Sequence, residues 1–147
     1  MRFMMIVKAN QESEAGAMPD DTALAAMGAY NEQLTKAGVL LDLSGLAPSS
    51  QGARVRFGAG GKRVVIDGPF SEAKELIAGY WVIQVKSREE ALEWAKRIPF
   101  EPDPRTGAEP EVELRRLFEL DDFAPSPAID LHRAVGEQLA QQLGTKK

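Results

Sequence analysis

Gly79-Tyr80-Trp81-Val82-Ile83-Gln84-Val85 is the stretch that decides the fold. Side chains alternate across a strand, so Trp81, Ile83 and Val85 share one face and Tyr80 and Val82 the other. Both faces are largely apolar, the pattern of a strand covered on two sides. Ser87 follows, with Glu90 three residues on, a capping-box pattern that opens a helix. Ala91, Trp94, Ala95 and Ile98 lie on one face of that helix, and Pro99 stops it.

The N-terminus repeats the arrangement. Arg2 to Lys8 reads as a strand with Phe3, Met5 and Val7 on one face and Met4 and Ile6 on the other, both apolar. A helix is expected from about Asp20 to Lys36, with Leu24, Met27, Tyr30 and Leu34 as its buried stripe and Gly38 as a left-handed C-cap. Val39 to Leu46 is the next strand, stopped by Pro48. A basic hairpin follows: Arg54 and Arg56 alternate with Val55 and Phe57, Gly58-Ala59-Gly60-Gly61 turns the chain, and Lys62 to Asp67 returns. Asp67-Gly68-Pro69-Phe70 is a turn carrying an aromatic, and Ser71 to Leu76 suits a short helical turn. Glu111 to Phe118 is the last strand. Ser126-Pro127 then starts a C-terminal helix whose stripe is Leu131, Val135, Leu139 and Leu143 and whose end is Gly144-Thr145-Lys146-Lys147. Ala9 to Asp20 and Pro99 to Pro110 read as loops, the latter with five Pro or Gly residues in twelve.

The order β-α-β-hairpin-β-α-β plus a helix predicts an α+β protein: a ferredoxin-like βαββαβ sheet with an added β-hairpin and a C-terminal helix. The expected division is a domain over 1–118 and a helical extension over 119–147. Two helices cover one sheet face only. The apolar second face therefore predicts a cover, either a second copy in a two-fold homodimer or the C-terminal helix.

The 147 residues suit one ordinary domain, and 44% hydrophobic with 27% charged residues is globular composition. Eighteen basic against 22 acidic side chains leave a net charge of -4, which speaks against a nucleic-acid partner held by its phosphates. With no cysteine and one histidine, thiolate chemistry, disulfides and paired-imidazole metal sites are excluded within one chain. No stretch approaches the roughly 20 apolar residues of a membrane helix, so no membrane partner and a cytoplasmic location are expected. The glycine turn lacks the lysine and serine of a phosphate loop, no cofactor motif occurs, and no metal-ligand spacing is present.

The run Asp67-Gly68-Pro69-Phe70-Ser71-Glu72-Ala73-Lys74-Glu75 resembles the DGPFAETKE signature of DGPF proteins, relatives of the YCII-like proteins, with seven of nine positions matching. Ala37-Gly38-Val39-Leu40-Leu41, Gly45-Leu46 with Pro48-Ser49, Gly79-Tyr80-Trp81, Glu89-Glu90-Ala91 and Glu113-Leu114-Arg115 are similar to other parts of that family. The resemblance spans about residues 1 to 118. It implies a dimeric α/β barrel of ferredoxin-like subunits. It implies no single reaction: some relatives are small-molecule enzymes, including a dehalogenase and ring isomerases, and some DGPF proteins accompany alternative sigma factors. Ser44 stands where the family has a glutamate before Gly-Leu, Ala47 where a polar residue is frequent, and Ser71 and Ala73 where the signature has alanine and threonine. No histidine lies near the strands, so the histidine–aspartate pair of some relatives does not carry over.

Two clusters carry the expected chemistry. Asp67, Lys74 and Glu75 flank the turn: the carboxylates suit acid–base work and Lys74 suits an anionic substrate. The competing reading has Asp67 bonding the turn amides, Lys74 and Glu75 solvated, and Phe70 plugging the core. Glu113 and Arg115 share one face of the last strand, as the floor of a cavity or as an ordinary edge pair. Asp42 on the second strand and His132 on the C-terminal helix read best as exposed residues. The expected function is a cofactor-independent small-molecule enzyme of isomerase or lyase type. Asp67, Glu75 and Glu113 are its candidate catalytic groups, and Lys74, Arg115 and Phe70 would bind a small anionic organic ligand. The alternative is a non-catalytic ligand-sensing or regulatory module, for example one that docks an alternative sigma factor through its C-terminal helix.

Overall fold

The computed structural model describes residues 1–144; the last three residues of the expected helix end lie outside the described residues. The protein is mixed α+β. The elements in unit order are β1 (Arg2–Lys8), α1 (Gln11–Glu14), α2 (Asp21–Lys36), β2 (Leu40–Gly45), β3 (Ala53–Phe57), β4 (Arg63–Asp67), β5 (Ile77–Gln84), α3 (Arg88–Lys96), β6 (Val112–Arg116) and α4 (Pro127–Gly144). Contacts divide the chain into two compact units, Met1–Arg116 and a second that begins at Leu117.

In the first unit, four strands form an antiparallel sheet in the order β2-β5-β1-β6. The sheet is open at both edges, and β3 and β4 pair separately as a two-stranded ribbon. The doubly apolar strands β1 and β5 take the two central places, as their sequence requires. Phe3 sits opposite Ile83, and Met5 opposite Trp81 and Leu114. These residues pack with Tyr30 and Leu34 of α2 and Ala91 of α3 into the core. The opposite sheet face carries Met4, Ile6, Tyr80 and Val82, all only half-buried.

Polar groups tie the helices to this core. The Trp81 indole N–H donates to Asn31 Oδ1 at 2.8 Å, and its ring meets Tyr30 edge-on at 5.7 Å. Tyr30 Oη donates to the Trp94 carbonyl at 2.8 Å. Burial pushes the Tyr30 phenol up to about 12, with the Arg97 charge pulling the other way. Helix α2 ends in a Schellman motif: Gly38, at φ 69°, donates to the Thr35 carbonyl and Val39 to the Leu34 carbonyl.

Some expectations change. Leu24 is 52% exposed, so the covered stripe of α2 begins at Met27. Ser87 caps α3 by accepting from Glu90 N–H at 3.1 Å, but the Glu90 carboxylate reaches the Lys86 amide, one residue short of a full capping box. Strand β2 carries a bulge at Leu41, between the Leu40–Ile83 and Asp42–Val82 pairs. The loop expected from Ala9 to Asp20 contains the short helix α1, nucleated by reciprocal bonds between Asn10 and Ser13.

In the second unit, Ser126 Oγ accepts from Ile129 N–H at the start of α4, Arg133 pairs with Asp121 at 3.3 Å, and Phe118 meets Phe123 at 5.4 Å. Leu131, Val135, Leu139 and Leu143 are all exposed, as is His132. No helix among the described residues is long and apolar enough to cross a membrane.

Candidate functional site

Helix α1, the exit of β2 and the Asp67–Phe70 turn build one recess. Ala9 N–H donates to the Leu76 carbonyl at 3.0 Å, which seats the start of α1 beside the entry to β5. Leu46 N–H donates to the Ala78 carbonyl at 2.8 Å and extends the β2–β5 ladder to the recess. Pro48 then ends the strand, and Ser49–Gln51 forms one 3-10 turn.

The Asp67–Phe70 turn is pressed onto that 3-10 turn. Gly68 N–H donates to the Gly52 carbonyl at 2.9 Å, and the Gly68–Pro69 peptide is cis. A Cβ at residue 68 would lie 1.8 Å from the Ser49 carbonyl oxygen, so only glycine fits. The amides of the turn thus bond Gly52 and Ser49, in place of the Asp67 carboxylate that the sequence offered.

Ser49 is the hinge of the arrangement. Its Oγ accepts from Phe70 N–H at 3.0 Å and its hydroxyl donates to Glu14 Oε2 at 2.5 Å. The Ser49 backbone N–H donates to Glu14 Oε1 at 3.1 Å. Glu14 is therefore gripped by one residue through two different groups, an orientation a single bond would not impose.

Beside this pair lies a pocket of about 250 Å³ lined by Glu14, Leu46, Ala47, Pro48, Ser49, Gln51, Gly52, Phe70, Leu76 and Ile77. Its wall is mainly apolar, and one carboxylate faces it. That combination can bind a small organic molecule by burial and act on it through a positioned acid–base group.

Of the six residues expected from the sequence, Phe70 lines this pocket. Phe70 is half-buried and lies outside the core cluster, so it does not plug the core as the sequence suggested. The Arg54 guanidinium of the hairpin covers its ring at 3.8 Å from the centroid, without itself lining the pocket. Asp67 is exposed at the end of β4, opposite Ala53, and Lys74 and Glu75 are exposed on the 3-10 turn Ala73–Glu75.

Glu113 and Arg115 do meet, at 3.0 Å, and Lys8 approaches Glu113 at 3.9 Å. Strand β6 is an edge strand, and Arg115 keeps 69% of its side chain exposed. The pair lies on the open sheet face, opposite Ile6 and Met4. On the same face Tyr80 Oη donates to Asp42 Oδ2 at 3.0 Å, so Asp42 has a specific partner although it is exposed.

Sequence reasoning missed Glu14 and treated Ser49 only as part of a resembling segment. The Asn10–Ser13 capping pattern was the available signal for α1, but the contact of Glu14 with a residue 35 positions away has no local signature. The loop from Pro99 to Pro110 is also more ordered than its composition suggests. Arg105 bonds both Asp103 and Glu12, and its guanidinium holds the Asp103 carboxyl below the usual carboxylate range. Among the described residues no three His, Cys, Asp or Glu side chains gather as a metal site.

Comparison with known proteins supplies the family. The chain is similar to an uncharacterised protein of Rhizobium meliloti (strain 1021), 33% identical over 89 residues, which are 60% of this chain and 70% of that protein. Residues 1–116, the whole first compact unit, match the YCII-related domain, and the chain belongs to the YCII-related family.

Proposed function

We propose that this is a cofactor-independent small-molecule enzyme of acid–base type, and that Glu14 is its reacting carboxylate. The observation that carries the reading is the Glu14 carboxylate, oriented by Ser49, on the wall of an otherwise largely apolar pocket. A fixed carboxylate beside apolar surface favours proton abstraction from a bound carbon acid and return of the proton at another atom, the chemistry of an isomerase or lyase. Phe70 forms the wall against which the substrate packs. The subunit follows the ferredoxin-like plan, and the Asp67–Phe70 turn is that of a DGPF protein. Two copies pair through the face of Met4, Ile6, Tyr80 and Val82 to make a dimeric barrel. Such pairing would enclose Glu113 and Arg115 as a second polar patch, while Asp67, Lys74 and Glu75 would act at the margin of the turn.

A ligand-sensing or docking module is the second reading, favoured by the four exposed aliphatic residues of α4. Proton exchange separates the two. Small carbon acids that bind the protein are incubated with it in deuterium oxide, and the ligand's C–H signals are followed by NMR. Enzyme chemistry gives deuterium incorporation that Glu14→Gln abolishes. Binding without exchange, in wild type and variant alike, overturns the catalytic reading and supports the module.

A further inference from the structure

We infer that the pocket beside Phe70 selects a small amine carried on a single-ring apolar body, in place of the anionic ligand that the sequence suggested. This rests on the reading of that pocket as the functional site, but not on catalysis there.

The inference follows from counting donors, acceptors and charges. The lining residues include one acidic side chain, Glu14, and no Lys, Arg or His. A carboxylate offers about four acceptor positions. Ser49 occupies some of them through its N–H and its hydroxyl. The remaining positions call for donors. Ser49 has none left, since its hydroxyl proton goes to Glu14 and its backbone N–H does too. Its Oγ already accepts from Phe70 N–H. The Gln51 amide is the one remaining lining side chain that can donate. An organic acid brings acceptors and negative charge to a wall whose one charge is already a carboxylate and whose side chains offer few donors. A primary ammonium brings three donors and the opposite charge.

The rest of the lining sets the body of the ligand. Leu46, Ala47, Pro48, Leu76, Ile77 and the Phe70 ring give it apolar contact. The volume of about 250 Å³ is below the roughly 300–1,000 Å³ of drug-sized sites, so this open recess covers about one ring of the ligand. One cation does come near: Arg54 lies on the Phe70 ring at 3.8 Å. It is stacked on the ring and is not among the lining residues.

Benzylamine, benzyl alcohol and benzoate share a skeleton and differ in the group offered to Glu14. Their dissociation constants are measured by NMR titration against the full chain, at neutral pH and fixed ionic strength. Benzylamine is expected to bind about tenfold tighter than the other two, the scale of one charge-assisted hydrogen bond. Its shift changes should fall on the amides from Leu46 to Gly52 and on Leu76 and Ile77. Glu14→Gln should remove the preference, while Arg54→Ala should leave it intact. Amide shifts in the wild type locate the ligand even if a variant fails to fold. The inference is overturned by benzoate binding as well as benzylamine, by a preference that survives Glu14→Gln, by shifts elsewhere, or by no binding of any of the three. Failed proton exchange with intact amine preference would remove the catalytic reading and leave this one standing.

Discussion

Ser49 and Glu14, 35 residues apart in sequence, are joined through two donors, the Ser49 hydroxyl at 2.5 Å and its backbone N–H, which reaches Oε1 at 3.1 Å and Oε2 at 3.4 Å. The same Ser49 Oγ receives Phe70 N–H at 3.0 Å. One side chain thus links α1, the end of β2 and the turn after β4.

Ser49→Ala removes the acceptor of Phe70 N–H and one donor to Glu14. Leaving a partly buried amide unpaired costs roughly 1–3 kcal/mol. Urea denaturation should show a lower midpoint with an unchanged slope. An unchanged midpoint would mean that water takes over both roles.

Two glycines should respond in opposite directions to alanine. At Gly68 the new Cβ would lie 1.8 Å from a backbone oxygen, so the turn must move and the loss should exceed about 3 kcal/mol. At Gly28, inside α2, a Cβ meets nothing within 4 Å, and Gly28→Ala should gain about 0.5–1 kcal/mol. Thermal unfolding of the two variants beside the wild type checks both signs.

Phe70→Ala should cost about 1–2 kcal/mol, less than the roughly 3–5 kcal/mol of a fully buried phenylalanine. The ring is half-buried and rests against Arg54. A loss at the full core value in chemical denaturation would show that the turn holds the fold together more than its packing indicates.

Tyr30 gives the protein an alkaline limit. Its folded value is about 12 against an ordinary 10, because burial disfavours the phenolate. A group whose folded value is raised contributes stability in full below the unfolded value and loses it as pH rises through the folded one. The wild-type denaturation midpoint should therefore fall between about pH 10 and 12. Tyr30→Phe, which lacks the ionising group, should start about 1 kcal/mol lower for want of the bond to the Trp94 carbonyl and should fall less steeply.

Val82→Glu places a charge at the centre of the open sheet face, opposite Met4 and Asp42. If two copies pair through this face, sedimentation should show a dimer for the wild type and a monomer for the variant. A wild-type monomer would leave that face to another cover.

Alternation over residues 2–8 and 79–85, helical spacing in α2 and α3, and the Gly38 cap were legible along the chain, although the second strand begins two residues earlier, at Ile77, and ends at Gln84. Periodicity of two or 3.6 residues is a local property, and it reports which face an element must bury. The resemblance carried by the run from Asp67 to Glu75 and its neighbouring segments pointed to DGPF and YCII-like proteins, and of these the comparison shows the YCII-related family, over residues 1–116. Placement was not local. Glu113 and Arg115 alternate correctly, but whether β6 was central or an edge depended on which strands paired, and it is an edge. Leu24 fitted the stripe of α2, yet the structure leaves it uncovered. Phe70 carried an aromatic into a turn, but its neighbours decided that it walls a pocket and stays out of the core. Glu14 lay in a polar run with nothing to single it out. Only folding brought Ser49 against it, because a hydrogen bond depends on distance in space and leaves no period in the sequence.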